Sequence, residues 1–212
     1  MIPSISDSRP QLRRGLYLVM TRPRDGYERL CALAVEAGIA AVQLRTKGYD
    51  EVDQLTLAKH LRALTQGSST VFIVNDRPDI AIDADADGLH IGQDDLPASE
   101  ARRLIGPNKL LGLSTHNLEQ VKKANDAPVD YIGFGPLFPT TSKLRPDPVV
   151  GAQTLEAAHQ CSSHPIVAIG GLNFERILSL GHYAHNVAVI RAVAEAADPL
   201  AEMRRINRLT LP

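Results

Sequence analysis

The sequence predicts a closed (β/α)8 barrel, the TIM-barrel architecture, built as a single α/β domain. Three observations lead there. Eight short runs of β-branched and aliphatic residues recur along the 212-residue chain, bounded by Gly, Asp or Pro, as strands covered on both faces are. Longer stretches with apolar residues three and four apart separate them. The first run is followed by Thr21-Arg22-Pro23-Arg24, where the competing solution, an open doubly wound sheet, needs a glycine-rich phosphate loop.

Taken in order, the strands are residues 15–20 (GLYLVM), 40–45 (AAVQLR), 71–74 (VFIV), 88–91 (GLHI), 110–113 (LLGL), 131–134 (YIGF), 166–169 (IVAI) and 187–190 (VAVI). The first helix, 25–37, repeats Leu30, Leu33, Ala34 and Ala37. The second, 51–65, repeats Val52, Leu55, Ala58 and Leu61, and Gly67 closes it as a C-cap. Residues 78–84 make one or two turns, and helices over 98–104, 117–124, 152–161, 173–180 and 198–209 complete the alternation. Asn117 and Asn173 are natural N-caps, Glu119 and Glu175 suit the positive helix end, and Pro199 suits a first turn. No repeat, low-complexity tract or linker breaks the pattern. Residues 15–212 therefore read as one barrel domain behind a flexible N-terminal segment, 1–14.

Apolar residues make up 44% and charged residues 22%, which excludes extended disorder, a collagen-like chain and a disulfide scaffold. A net charge of −1 creates no broad field for nucleic acid or anionic lipid, so an anionic ligand must be held by a local constellation. Cys31 and Cys161 are too far apart for a metal motif and fall in helical stretches, where they read as small apolar side chains in a reducing compartment. No run is long enough for a membrane span, and the first residues lack the apolar stretch of a secretory signal. The expectation is a cytoplasmic protein acting on small molecules, with no nucleic-acid or membrane partner; homo-oligomerisation stays open.

In such a barrel the loops after the strands open on one face, which carries the chemistry. Seven consecutive strands deliver polar groups there: Gln43, Arg45 and Lys47; Asn75 and Asp76; Gln93 and Asp95; Ser114, Thr115 and His116; Thr140, Thr141, Ser142 and Lys143; Gly170 and Gly171; and Arg191. Gln43, Arg45 and Lys47 alternate along an extended segment and share one side, an arrangement suited to a diphosphate, since Arg and Lys give charge-assisted bonds to phosphate oxygens. Asp76 and Asp95 belong to neighbouring strands and repel unless a cation or shared proton intervenes. A site with few protein ligands, completed by water and phosphate oxygens, suits Mg²⁺. The plainer alternative is that one of them caps a helix or pairs with Arg77 or Arg102, and Asp79 and Asp94 are spare carboxylates nearby. Gly170-Gly171 lets backbone amides approach an anion, although a tight turn explains the pair equally well. His90 reads as a hydrogen-bonded core residue, and His116 as a site-wall or helix-start residue. No catalytic triad, zinc spacing or nucleophilic cysteine stands out.

The loops together resemble the thiamine-phosphate synthase (thiamine-phosphate pyrophosphorylase) family of the thiamine-phosphate synthase/TenI superfamily. The stretches that carry the likeness are 43–47 (QLRTK), 74–77 (VNDR), 87–95 (DGLHIGQDD), 112–116 (GLSTH), 130–143 (DYIGFGPLFPTTSK) and 168–172 (AIGGL), so it runs over nearly the whole chain. The resemblance implies a transferase of thiamine biosynthesis that joins hydroxymethylpyrimidine diphosphate to a thiazole phosphate, releasing diphosphate and forming thiamine phosphate. By position, Gln43, Arg45 and Lys47 would grip the diphosphate with Asn75, while Asp76 and Asp95 hold Mg²⁺. Ser114 and Lys143 would contact the pyrimidine and its diphosphate. Thr140, Ser142, Gly171 and the amides of Ile190 and Arg191 would hold the thiazole phosphate.

Arg45, Lys47, Ser114 and Lys143 are then the catalytic set. Diphosphate leaves once its developing charge is neutralised, and the electron-rich aminopyrimidine stabilises the cation left behind, so no enzyme nucleophile is needed. The chain departs from the family pattern at Ser142, usually Thr; at Arg191, usually Ser; and at Met20-Thr21-Arg22, commonly Ile-Thr-Asp. Two rival readings are a TenI-type thiazole tautomerase, which tends to lack the acidic pair and the full diphosphate grip, and a non-catalytic barrel that binds thiamine phosphates.

Overall fold

A computed structural model describes residues 10–46, 51–140 and 147–210. Short strands buried on both faces leave no edge in water only if the sheet closes on itself, and here it does. The chain runs β1 (Gly15–Met20), α1 (Tyr27–Glu36), β2 (Ala41–Leu44), α2 (Glu51–Thr65), β3 (Val71–Asn75), α3 (Pro78–Asp83), β4 (Gly88–Ile91), α4 (Ala98–Ile105), β5 (Leu110–Thr115) and α5 (Leu118–Ala124). It continues through β6 (Tyr131–Phe134), a 3-10 turn (Ala152–Thr154), α6 (Leu155–Cys161), β7 (Ile166–Ile169), α7 (Phe174–Leu178), β8 (Asn186–Val189), α8 (Arg191–Ala194) and α9 (Pro199–Thr210). Every strand pairs in parallel with its neighbours in chain order, and β8 pairs with β1 to close the barrel.

All eight expected strands are present; β1, β4, β6 and β7 keep the expected bounds, and β2, β3, β5 and β8 have shifted ends. β2 stops at Leu44, before Arg45, and β5 runs on to Thr115, which takes Ser114 into the strand. β8 begins one residue early, at Asn186. A buried amide reads as a boundary from hydropathy alone, but the Asn186 amide nitrogen donates to the carbonyls of Arg13 and Gly15, both at 2.9 Å, and stitches β8 to the start of β1. The four-residue α8 was not expected. The N-caps were: Asn117 accepts from Gln120 N–H and Asn173 from Arg176 N–H. Of the N-terminal segment read as loose, residues 10–14 are described and tied to the base of the barrel. Arg13 donates to the carbonyls of Gly38 and Ile39, and Arg14 to that of Ala184.

Side chains alternate in and out along each strand, and this divides the apolar residues into two layers. Leu16, Leu18 and Met20 point outward into the large core between barrel and helices, with Phe72, Leu89, Ile132 and Phe134. Tyr17 and Val19 point inward, where they meet Ala41, Val71, Ile73, Leu110, Tyr131, Val167 and Ala188. That inner layer plugs the lower barrel and leaves the end at the strands' C-termini open.

α9 locks the barrel seam through one buried polar contact. Asn207, 7% exposed, accepts at Oδ1 from the Leu16 N–H at 2.9 Å. Asn207→Ala leaves that donor buried and unsatisfied. It is expected to destabilise the fold by about 1–3 kcal/mol, seen in thermal unfolding as a drop of several degrees in Tm. Among the described residues no helix is long and apolar enough to cross a membrane.

Candidate active site

The strands' C-terminal ends open on a cavity of about 590 Å³, within the usual range for a small-molecule site. Gln43, Arg45, Asn75, Asp76, Asp95, Ser114, Thr140, Gly171, Ile190 and Arg191 all line it. Of the other sequence candidates, Lys47, Thr141, Ser142 and Lys143 lie outside the described residues.

One wall is acidic. Just past β3 the backbone turns at Asp76 into the left-handed region, φ 62°, which a non-glycine residue seldom adopts. Its N–H donates to the His90 carbonyl at 2.9 Å, which holds the turn. Asp95, in the loop after β4, is braced by the Gly92 N–H at 2.6 Å. The two carboxyl groups interact directly. Although Asp76 is an exposed residue, its carboxyl is pushed up to about 7. Loss of surrounding water in the crowded pocket mouth is the main cause, followed by the hydrogen bond and the charge of Asp95; Arg45 and a hydrogen bond from Asn75 act in the opposite sense. The plainer pairings considered from sequence belong to other residues: Arg77 holds Asp79, and Arg102 holds Asp130. Among the described residues no group of three or more His, Cys, Asp or Glu side chains could hold a metal ion. Beside them, Arg45 carries a buried guanidinium nitrogen, Nη1, with no hydrogen-bond partner among the described residues.

The opposite wall is built by the last two strands. At Gly170, φ 103°, a Cβ would collide with Pro136, and at Gly171, φ 61°, with the Pro139 carbonyl. Close packing against the loop after β6 therefore demands both glycines, whatever else they do. Arg176, which was not singled out from sequence, also lines the cavity; it donates to the Gly171 carbonyl and lies over the Phe138 ring, 4.7 Å from its centroid. Arg191 opens α8 at the cavity edge and is exposed. On a third side His116 donates from Nδ1 to the Gly135 carbonyl at 2.6 Å and faces Asp147 with Nε2 at 3.6 Å, while its N–H is held by Gln120. It is thus both a wall residue and part of a helix start.

The floor is a connected row of polar side chains. Gln43, 4% exposed, donates from its amide nitrogen to the Tyr17 hydroxyl at 2.9 Å. That hydroxyl lies 3.0 Å from the Tyr131 hydroxyl, which lies 3.2 Å from His90 Nδ1; His90 Nε2 is 2.9 Å from Ser114 Oγ. His90 is hydrogen-bonded as expected, but it lines the cavity and is not confined to the core. Tyr17 and Tyr131 carry no signal in the sequence, because aromatic residues in apolar strands read as ordinary core. Their inward direction, and the polar partners waiting there, emerge only when the barrel closes.

A family model described as thiamine monophosphate synthase matches residues 16–193. The thiamine-phosphate synthase of Vibrio campbellii is 41% identical over 189 residues, 88% of this chain and 93% of that protein. The thiamine-phosphate synthase of Moorella thermoacetica is 40% identical over 200 residues, 92% of this chain and 94% of that one. Among solved structures, thiamine phosphate pyrophosphorylase from Pyrococcus furiosus superposes with a TM-score of 0.85 at 31% identity, covering 95% of this chain and 96% of its own.

Proposed function

Since the chain belongs to the thiamine monophosphate synthase family, we propose that its cavity joins hydroxymethylpyrimidine diphosphate to a thiazole phosphate, releasing diphosphate and forming thiamine phosphate. The observation that carries this reading is the meeting of an Asp76–Asp95 pair short of a cation with an Arg45 nitrogen short of an acceptor. A metal-bound diphosphate supplies both.

Asp76 and Asp95 would hold Mg²⁺, which when bound adds positive charge against the diphosphate oxygens. Arg45, with Asn75, Lys47 and Lys143, grips the same group and stabilises the charge it gains as the carbon–oxygen bond breaks. The thiazole nitrogen then forms the new bond to that carbon, and no enzyme nucleophile or proton donor is required. Gln43 donates to the buried Tyr17 hydroxyl, so it would meet the buried, heterocyclic end of the guest. Ser114 contacts the pyrimidine. Thr140, Ser142, Gly171 and the amides of Ile190 and Arg191 hold the thiazole phosphate, with Arg191 adding charge at the rim.

A product assay with both substrates tests the reading. Coupling that requires Mg²⁺ is expected; isomerisation of a thiazole carboxylate phosphate without coupling assigns the chain to the tautomerase reading, and binding without turnover to the non-catalytic one.

The acidic pair also sets a pH dependence. Without metal, the folded protein keeps the shared proton up to about pH 7, while the unfolded chain releases it near 4. The folded state then binds more protons between these limits, so metal-free stability falls as pH rises from about 4 to 7 and flattens above. Mg²⁺ must displace that proton, so its affinity rises with pH and levels off above about 7. Calorimetric Mg²⁺ titrations and thermal unfolding across this range check both, and Asp76→Asn is expected to flatten both curves.

A further inference from the structure

The row of side chains on the cavity floor has a direction. Gln43 enters it through an amide nitrogen, which can only donate. The Tyr17 oxygen accepts that hydrogen bond and has its own hydrogen left for Tyr131. Tyr131 in turn passes its hydrogen to a bare Nδ1 of His90, and a neutral His90 then carries its hydrogen on Nε2, facing Ser114 Oγ. Run the other way, Tyr17 would receive hydrogens from both Gln43 and Tyr131. Its own hydrogen would then have no acceptor in the row, on a residue only 2% exposed. Burial holds both phenols well above their ordinary range, so each stays protonated and able to pass on a hydrogen.

The barrel also reserves space for this contact. β5 places Gly112 where any Cβ would collide with the Tyr131 ring and His90 Nδ1, whereas a Cβ at Gly133 on β6 would stand at ordinary contact distance, 3.4 Å from His90 Cε1. The imidazole lies against the Tyr131 ring, with centroids 5.5 Å apart. Ser114 is fixed a second time through its carbonyl, which accepts from the Gln93 amide.

We propose that His90 is a positioning residue: held as the Nε2–H tautomer by Tyr131 and Tyr17, it occupies the Ser114 lone pair and turns the serine hydrogen into the cavity. Ser114 thereby offers a hydrogen-bond donor to a lone-pair atom on the heteroaromatic guest. With the opposite tautomer Ser114 would spend its hydrogen on His90 and present only lone pairs, favouring a donor group instead. This role rests on the synthase reading; the tautomer itself does not.

The test has two arms on the full chain. In the first, ¹⁵N-imidazole-labelled protein is examined by long-range ¹H–¹⁵N NMR at mildly alkaline pH without ligand, with His90→Gln used for assignment. A bare Nδ1 and protonated Nε2 are expected, with Tyr131→Phe moving the ring toward the other tautomer. A protonated Nδ1 in the unaltered protein, or no response to Tyr131→Phe, overturns the proposal. In the second arm, His90→Gln is expected to lower kcat/KM for coupling about 10–100-fold, as loss of an orienting partner does, but less than about twofold further in a Ser114→Ala background. Equal losses in both backgrounds overturn the positioning role. If His90→Gln does not fold, Tyr131→Phe takes its place in the same cycle. If the unaltered protein does not couple the substrates at all, the synthase reading fails and the NMR arm alone decides the tautomer.

Discussion

Asp76→Ala is expected to lower kcat/KM for thiamine phosphate formation by about 10³-fold or more while the circular dichroism spectrum stays native. Asp76 follows β3 and contributes no apolar packing to either core layer, so the barrel does not need its side chain. The carboxyl is one half of a pair that interacts directly and repels at close range. If this pair holds the metal as proposed, removing one carboxylate weakens the protein's hold on it and on the counter-charge to the leaving diphosphate, an effect of the size seen when a transition-state charge loses its stabiliser. Asp95→Ala should match it. The double variant should be little worse than either, because groups that act as a unit lose their joint effect at the first deletion. Asp76→Asn, which keeps shape without charge, should resemble the alanine variant; near-native activity would show that the pair holds no metal.

The second large effect is at Arg45. Its buried Nη1 has no hydrogen-bond partner among the described residues, and a buried donor left unpaired is costly in a finished structure. Arg45→Ala is expected to reduce kcat/KM by about 10²–10³-fold, and Arg45→Lys to recover only a small part, since a point charge cannot reproduce a planar fork on phosphate oxygens. Removing Arg45 also takes away a positive charge that lowers the Asp76 carboxyl. The Mg²⁺ affinity curve of Arg45→Ala should therefore move to higher pH, a shift that a simple loss of diphosphate contacts does not produce.

The parts of the molecule that could be read before the structure share one property: they depend on residues close in sequence. Strand runs such as 71–74 and 131–134, the caps at Asn117 and Asn173, and Pro199 at a helix start are all local signals, and each recurs in the structure. Asp76, Asp95 and Arg45 were legible as a group because a parallel barrel sends every strand end to one mouth. What stayed hidden depends on direction. In strands covered on both faces, hydropathy does not distinguish the residues facing the axis from those facing the helices. Tyr17, Tyr131 and His90 therefore look like core, and Gly112 carries no signal at all, although together they shape the floor of the cavity. Asn186 misled for the opposite reason, being polar yet buried in β8. The four-residue α8 is too short to show a period.

The most direct measurement is a crystal structure of the chain soaked with diphosphate and Mn²⁺ as an anomalous stand-in for Mg²⁺. One metal peak touching both Asp76 and Asp95, with diphosphate oxygens on that metal and on the Arg45 guanidinium, is the expected result. A metal held elsewhere, or a diphosphate bound out of reach of Arg45, would contradict it.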